Sequence, residues 1–96
     1  MSPKKKKKLD INRKKLHQSD NQKLAIINKR TFLVNEVVKL KENKSEIVDQ
    51  KRISSILKNI KAKSIKNNID PKITDRIWKN MIWSYINYER RNFKKK

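Results

Sequence analysis

The spacing of two cationic side chains is the first feature of this sequence that could support chemistry. Arg30 and Lys41 lie eleven residues apart in a stretch whose apolar residues recur at helical spacing. Eleven steps of about 100° return to within about 20° of the start, with a rise of about 16 Å, so both would point to one side of a helix. Two cations on an apolar side are costly unless an anion neutralises them, so together they could bind a small dianion.

Each of these cations also has a purely structural interpretation. Lys41, near the predicted helix end, could extend to solvent and interact with the helix dipole. Arg30 could belong to a structural ion pair. Arg13 precedes Arg30 by seventeen residues, or about 25 Å of helix, so one helix cannot bring both to the same small ligand. A second chain running antiparallel could do so.

Two carboxylates extend this set of candidate site residues. Asp49 and Arg52 are three residues apart at a predicted helix start, where they could form a cap with a local salt bridge or the edge of a site. Glu89 falls on the same helical stripe as Trp78 and Tyr85, so its carboxylate would be partly desolvated. The alternative for Glu89 is an ion pair with the neighbouring arginines or with the first helix.

The composition excludes several kinds of site. The 96 residues contain no Gly and no Cys, which excludes glycine-dependent phosphate loops, disulfides, thiol nucleophiles and Cys-ligated metals. His17 is the single histidine, too few for a histidine metal site, so we expect no metal. No apolar run is long enough for a membrane span, and no apolar segment follows the basic start as in a secretory signal. A cytoplasmic protein is expected.

The net charge of +19 indicates an anionic partner or a biased composition rich in lysine. Lys4 to Lys8 and Lys94 to Lys96 contribute eight of these charges. Like-charge blocks are typical of disordered tails, so residues 1–8 and 94–96 are predicted to be basic tails. Non-specific nucleic-acid binding through these lysines is possible.

The apolar periodicity predicts an all-α fold of three helices. They cover about residues 9–41, 49–66 and 71–93, with Asp49 and Asp70 as N-caps. Asn67-Asn68 ends the second helix, because asparagine tolerates the left-handed C-cap conformation. The domain is therefore expected over residues 9–93. The first helix would be about 50 Å long. Because that is too long for a compact monomer of this size, a homodimer with paired long helices is predicted.

These residues together resemble the all-α chorismate mutases and their relatives, the isochorismate pyruvate lyases. The resemblance covers about Leu9 to Phe93. It rests on Arg13, on the segments NKRTFLVNEVVKLK and IVDQKRISSIL, and on NNIDPKITDRIWKNMIWSYINYE near the end of the chain. The order and spacing of these pieces carry it, since each piece alone is a loose pattern.

The resemblance implies an intertwined homodimer that converts chorismate to prephenate, a step of aromatic amino acid biosynthesis, without cofactor, metal or covalent intermediate. Arg13 from the other chain and Arg30 would each bind a carboxylate of the substrate. Lys41 would hydrogen-bond the breaking ether oxygen, and a protonated Glu89 would approach that oxygen from another side. Asp49 and Arg52 would lie at the edge of the site.

Some positions depart from the family pattern. Ile53 stands where mutases often carry a glutamate that binds the ring hydroxyl, and lyases are typically apolar there. Tyr85 replaces a small polar residue, and Glu89 a glutamine, although some mutases use a glutamate at the latter position. A lyase acting on isochorismate is therefore an alternative. A helical nucleic-acid binder and an inactive homologue are further alternatives.

Overall fold

The computed structural model describes residues 1–94 and confirms the all-α prediction. No strand occurs in this described range. A short 3-10 helix follows the first α-helix. In chain order the elements are α1 (Pro3–Leu40), the 3-10 helix Lys44–Ile47, α2 (Gln50–Lys66) and α3 (Pro71–Asn92).

Helix α1 begins six residues earlier than expected and includes the lysine block. Residues 1–8 were expected to be a disordered tail because like charges repel, but the structure has helix from Pro3 onward. The N–H of Lys5 donates to the Ser2 hydroxyl at 3.3 Å, and proline suits the first helical position. Ser2 and Pro3 thus indicate a helix start, which the run of like charges alone does not predict.

Helix α1 also ends one residue earlier than expected, at Leu40. Lys41 is therefore the first residue after the helix, and its N–H donates to the Val38 carbonyl at 3.1 Å. At the other end of the chain, Phe93 follows α3, and Lys94 is exposed. The remaining two lysines of the expected 94–96 tail lie outside the described residues.

The N-caps of α2 and α3 are those that the sequence predicts. The Asp49 carboxylate accepts a hydrogen bond from the Arg52 backbone N–H at 3.0 Å. The Asp70 carboxylate accepts from the Lys72 N–H at 2.9 Å, and Pro71 occupies the first position of α3. Each cap satisfies one of the N–H groups that a helix start leaves without an intrahelical acceptor.

A left-handed asparagine ends α2, also as predicted. Asn68 has φ of 57°, a conformation that asparagine tolerates better than most residues. The Ile69 N–H reaches back to the Ser64 carbonyl at 2.8 Å, and the Asn68 N–H to the Ile65 carbonyl at 3.2 Å. These two bonds form a Schellman motif, which closes the helix and reverses the chain toward α3.

The hydrophobic core lies between α2, α3 and the 3-10 helix. The chain divides into two compact units, Met1–Leu33 and a second that begins at Val34, and this core belongs to the second. Its buried residues are Ile47, Ile82 and Ile86. Partly buried side chains pack around them, namely Val48, Ile53, Ile56, Leu57 and Phe93. The apolar side of α2 therefore faces the core.

A buried pair of hydroxyl groups joins α2 to α3. The Ser64 and Thr74 hydroxyl oxygens are 2.7 Å apart, and both residues are buried. The Ser64 hydroxyl also lies 2.7 Å from the Ile60 carbonyl. One consistent arrangement has Ser64 donate to that carbonyl and accept from Thr74, so that both hydroxyl groups are satisfied.

Six apolar residues that recur at helical spacing on α1 and α3 are exposed in the single chain. Their exposed fractions lie between 47% and 64%. A helical stripe shows which side of a helix is apolar, but it does not show what covers that side. No helix within residues 1–94 is long and apolar enough to cross a membrane. The exposed stripe residues are Leu16, Leu24, Ile27 and Val37 on α1, and Ile73 and Ile77 on α3.

Candidate active site

Lys41 and Glu89, both predicted as site residues, meet in the structure. The Lys41 Nζ lies 3.4 Å from the Glu89 Oε1. Only 20% of the lysine side chain and 10% of the glutamate side chain are exposed. The distance is longer than the 2.7–2.9 Å typical of charge-assisted hydrogen bonds. An ammonium group carries three N–H donors, and this loose contact uses one of them.

Helix α3 explains why Glu89 is shielded from solvent. Glu89 follows Ile82 by seven residues and Ile86 by three, so it lies on the helix side that carries the core residues. The expectation of a partly desolvated carboxylate is confirmed. The ion pair that the sequence left open is made with Lys41, directly after α1. Removing either partner of such a shielded pair is strongly destabilising, because the other charge is left without a counter-ion.

A feature that the sequence analysis missed fixes the backbone next to Lys41. The Glu46 carboxylate accepts a hydrogen bond from the Glu42 N–H at 3.1 Å. One residue further on, Ile47 is only 5% exposed and belongs to the core. The sequence of the segment from Lys41 to Glu46 is polar and by itself predicts only a break between helices. The apolar pair Ile47-Val48 directly after it was the available signal that this segment is anchored.

Asp49 and Arg52 lie at the start of α2, and both are exposed. The Asp49 carboxylate caps the helix by accepting from the Arg52 backbone N–H. This bond supports a structural role for Asp49 as the N-cap of α2. The Arg52 guanidinium is in a position to meet solvent or a ligand.

Tyr85 lies one helical turn before Glu89 on α3 and is half-buried. Its ring packs edge to face against Tyr88, with the ring centres 6.4 Å apart and an interplanar angle of 86°. Edge-to-face pairs are a favoured aromatic arrangement, so each ring restricts the orientation of the other. Ile53 on α2 packs against the core formed by Ile47, Ile82 and Ile86, where it presents an apolar side chain.

The two remaining candidates belong to the unit Met1–Leu33. Arg13 is exposed on α1, whereas Arg30 is half-buried. The structure therefore brings Lys41 and Glu89 together, and it places Arg52 and Tyr85 within the same unit as that pair.

The fold and the candidate site define an all-α protein with a cation and a carboxyl group in a poorly solvated setting. In such a setting, electrostatic interactions with a bound polar group are stronger than in water. A model of the chorismate mutase type II family matches residues 12–90, which is most of the chain, and the chain belongs to this family. The match confirms the resemblance stated above. Searches of curated proteins and of solved structures gave no match.

Proposed function

We propose that the protein is a chorismate mutase, which rearranges chorismate to prephenate. The family supports the reaction type, and the shielded contact between Lys41 and Glu89 is the observation that carries the proposal. The reaction is pericyclic and unimolecular. It therefore needs a catalyst that holds a compact conformer and stabilises the charge that develops as a carbon–oxygen bond breaks.

Lys41 is the proposed donor to the breaking ether oxygen. Negative charge grows on that oxygen in the transition state, and an ammonium group already fixed nearby stabilises it without reorganisation. The packing around Lys41 supports this role, because only 20% of its side chain is exposed. The bond between Glu42 and Glu46 and the buried Ile47 hold the backbone that carries it.

Glu89 is the proposed second donor, acting in its protonated form. The substrate is a dianion, so a carboxylate at this position would repel it once the substrate competes for Lys41. A protonated carboxyl group instead donates a hydrogen bond to the same ether oxygen. Only 10% of the Glu89 side chain is exposed, so water would screen a hydrogen bond from it to the ether oxygen only weakly.

The substrate carboxylates are proposed to be bound by Arg30 and by Arg13 of the partner subunit in an intertwined homodimer. Guanidinium groups suit this task because they bind carboxylates with two parallel hydrogen bonds. The exposed Leu16 and Leu24 on α1 support the dimer, since a second copy would cover them. Asp49, Arg52 and Tyr85 are proposed to line the edge of the site.

An isochorismate pyruvate lyase is the second candidate, and Ile53 favours it. This residue packs into the core beside α3 and offers no polar group to a substrate hydroxyl. The same cationic residues could then bind isochorismate while pyruvate is eliminated.

Incubation with each substrate in turn tests both proposals. Loss of chorismate with formation of prephenate supports the mutase, whereas salicylate and pyruvate formed from isochorismate support the lyase. A folded protein that converts neither substrate would contradict both proposals and indicate an inactive homologue.

A further inference from the structure

The first turns of α1 carry a dense positive charge, most of which has no role in the proposed reaction; Arg13 is the exception. Residues 1–15 contain eight Lys and Arg residues and one acid, Asp10, a net charge of +7. Among them Lys4 to Lys8 are consecutive, helical and exposed. The family match begins at residue 12, so this lysine block lies outside the matched part of the chain.

The five lysines are helical although their like charges repel one another. Lys4 and Lys8 are four residues apart, a spacing at which like charges destabilise a helix. The first turn contains no acidic residue, although the positive end of the helix dipole favours one there. A polyanion that binds this segment would relieve both effects.

The distribution of the charge around the helix distinguishes between possible polyanions. Five consecutive residues at about 100° each place lysines on every side of the helix. A flat lipid surface contacts one side of a helix and favours an apolar stripe on that side, but residues 4–8 contain none. A groove with phosphates along both walls can contact several sides at once.

We propose that the segment Lys4–Lys8 of α1 binds duplex DNA by lying in the major groove. An α-helix with its side chains is about 10–12 Å across, and the B-form major groove is about 12 Å wide. The ammonium groups would neutralise phosphates on both groove walls. Because lysine makes point-charge contacts rather than bidentate ones, the binding would be independent of base sequence.

The salt dependence of binding gives the expected size of the effect. Each neutralised phosphate contributes about 0.9 to the slope of log K against log salt concentration. Four or five contacts by the lysine block therefore correspond to a slope contribution of about 4. Removing the block should abolish that contribution and weaken binding at low salt by at least about tenfold.

The test is fluorescence anisotropy with a labelled B-form duplex of mixed sequence, measured over a series of salt concentrations. The first variant replaces all five residues Lys4 to Lys8 by glutamine. A matched control removes the same charge from exposed positions elsewhere. It replaces by glutamine the lysines Lys58, Lys61, Lys63, Lys66 and Lys72, which lie on α2 and α3.

We expect the first variant to lose the steep salt dependence and the control to retain most of it. Equal loss in both variants would show that net charge alone drives binding and would overturn the proposal. So would binding to vesicles of phosphatidylserine without binding to DNA, or tighter binding to an A-form RNA duplex, whose major groove is too narrow for a helix. Circular dichroism confirms that each variant is folded.

Chorismate turnover, measured on the same samples, separates this proposal from the proposed function. The lysine block has no role in the candidate site, so turnover should be the same with and without it. Absence of turnover in every sample would contradict the proposed mutase activity. It would not change the result of the DNA-binding test, which is measured separately.

Discussion

Replacement of Lys41 by methionine separates its structural contribution from its proposed catalytic one. Methionine keeps the length and apolar body of the lysine side chain and removes the ammonium group. Glu89, with 10% of its side chain exposed, would then lack the cation 3.4 Å away. Two losses are expected, one in the free energy of unfolding and one in turnover, and they respond differently to a second substitution.

The stability loss follows from the burial of the pair. At 3.4 Å and an effective dielectric constant of about 20, the gross attraction is about 5 kcal/mol, much of it offset by desolvation. Removing one partner of a fully buried pair costs about 3–5 kcal/mol. Because this pair retains some exposure, we expect Lys41→Met to lower the free energy of unfolding by about 2–3 kcal/mol.

A second substitution, Glu89→Gln, should restore much of the stability of Lys41→Met. The double variant contains no shielded charge without a partner, so we expect recovery of about 1–2 kcal/mol. Turnover should not recover, because the donor to the ether oxygen is still absent. Removing one such donor costs about 10²–10³ in kcat.

The assay combines urea denaturation at fixed protein concentration with steady-state chorismate turnover. Lys39→Met is the matched control, because Lys39 pairs with Glu36 at 3.1 Å while 71% and 50% of the two side chains are exposed. That exposed pair should contribute less than about 1 kcal/mol and nothing to turnover. Near-wild-type turnover in Lys41→Met, or recovery of turnover in the double variant, would refute the role assigned to Lys41.

Further predictions concern the proton on Glu89, the second protomer and the buried hydroxyl pair. Because an amide N–H can donate to the ether oxygen as a protonated carboxyl group would, Glu89→Gln should retain turnover, whereas Glu89→Ala should lower kcat by about 10²–10³. Equal losses in the two variants would contradict the donor role of Glu89. Inactive Arg13→Ala and Lys41→Ala variants, unfolded together and refolded as a mixture, should recover about a quarter of wild-type activity, since half of the dimers then contain one intact site. No recovery in mixed dimers that are shown to form would argue against a shared site. Ser64→Ala should lower stability by about 1–2 kcal/mol through the loss of the buried hydroxyl contact, with turnover unchanged. Exposed Ser84, whose hydroxyl donates to the Asn80 carbonyl of the same helix, is the control, and equal losses at both serines would contradict the reasoning.

Features governed by neighbouring residues could be predicted from the sequence. The caps at Asp49 and Asp70 and the left-handed Asn68 depend on side chains that act within one helical turn, and the structure confirms all three. The shielding of Glu89 was predictable for a related reason. Its place on an apolar stripe determines which side of α3 it occupies.

Features that depend on distant residues could not be predicted in this way. The partner of Glu89 is 48 residues away in sequence, so spacing along α3 left neighbouring arginines as equal candidates. The anchoring of the polar segment after α1 could not be predicted, because the burial of Ile47 depends on packing against Ile82 and Ile86 of α3. The early start of α1 was not predicted, because a run of five lysines is typical of a disordered tail and the Ser2 cap acts only once the helix has formed.

The segment that connects Lys41 to Ile47 has a consequence for how this protein can vary. Its two ends are fixed, one by the end of α1 and the other by the hydrophobic core, and a side-chain-to-backbone bond closes the loop between them. An insertion or deletion here would displace the ammonium group while leaving every side chain of the candidate site chemically intact. Loop length is therefore itself a determinant of the geometry at Glu89, and a comparison based on residue identity alone would overlook it.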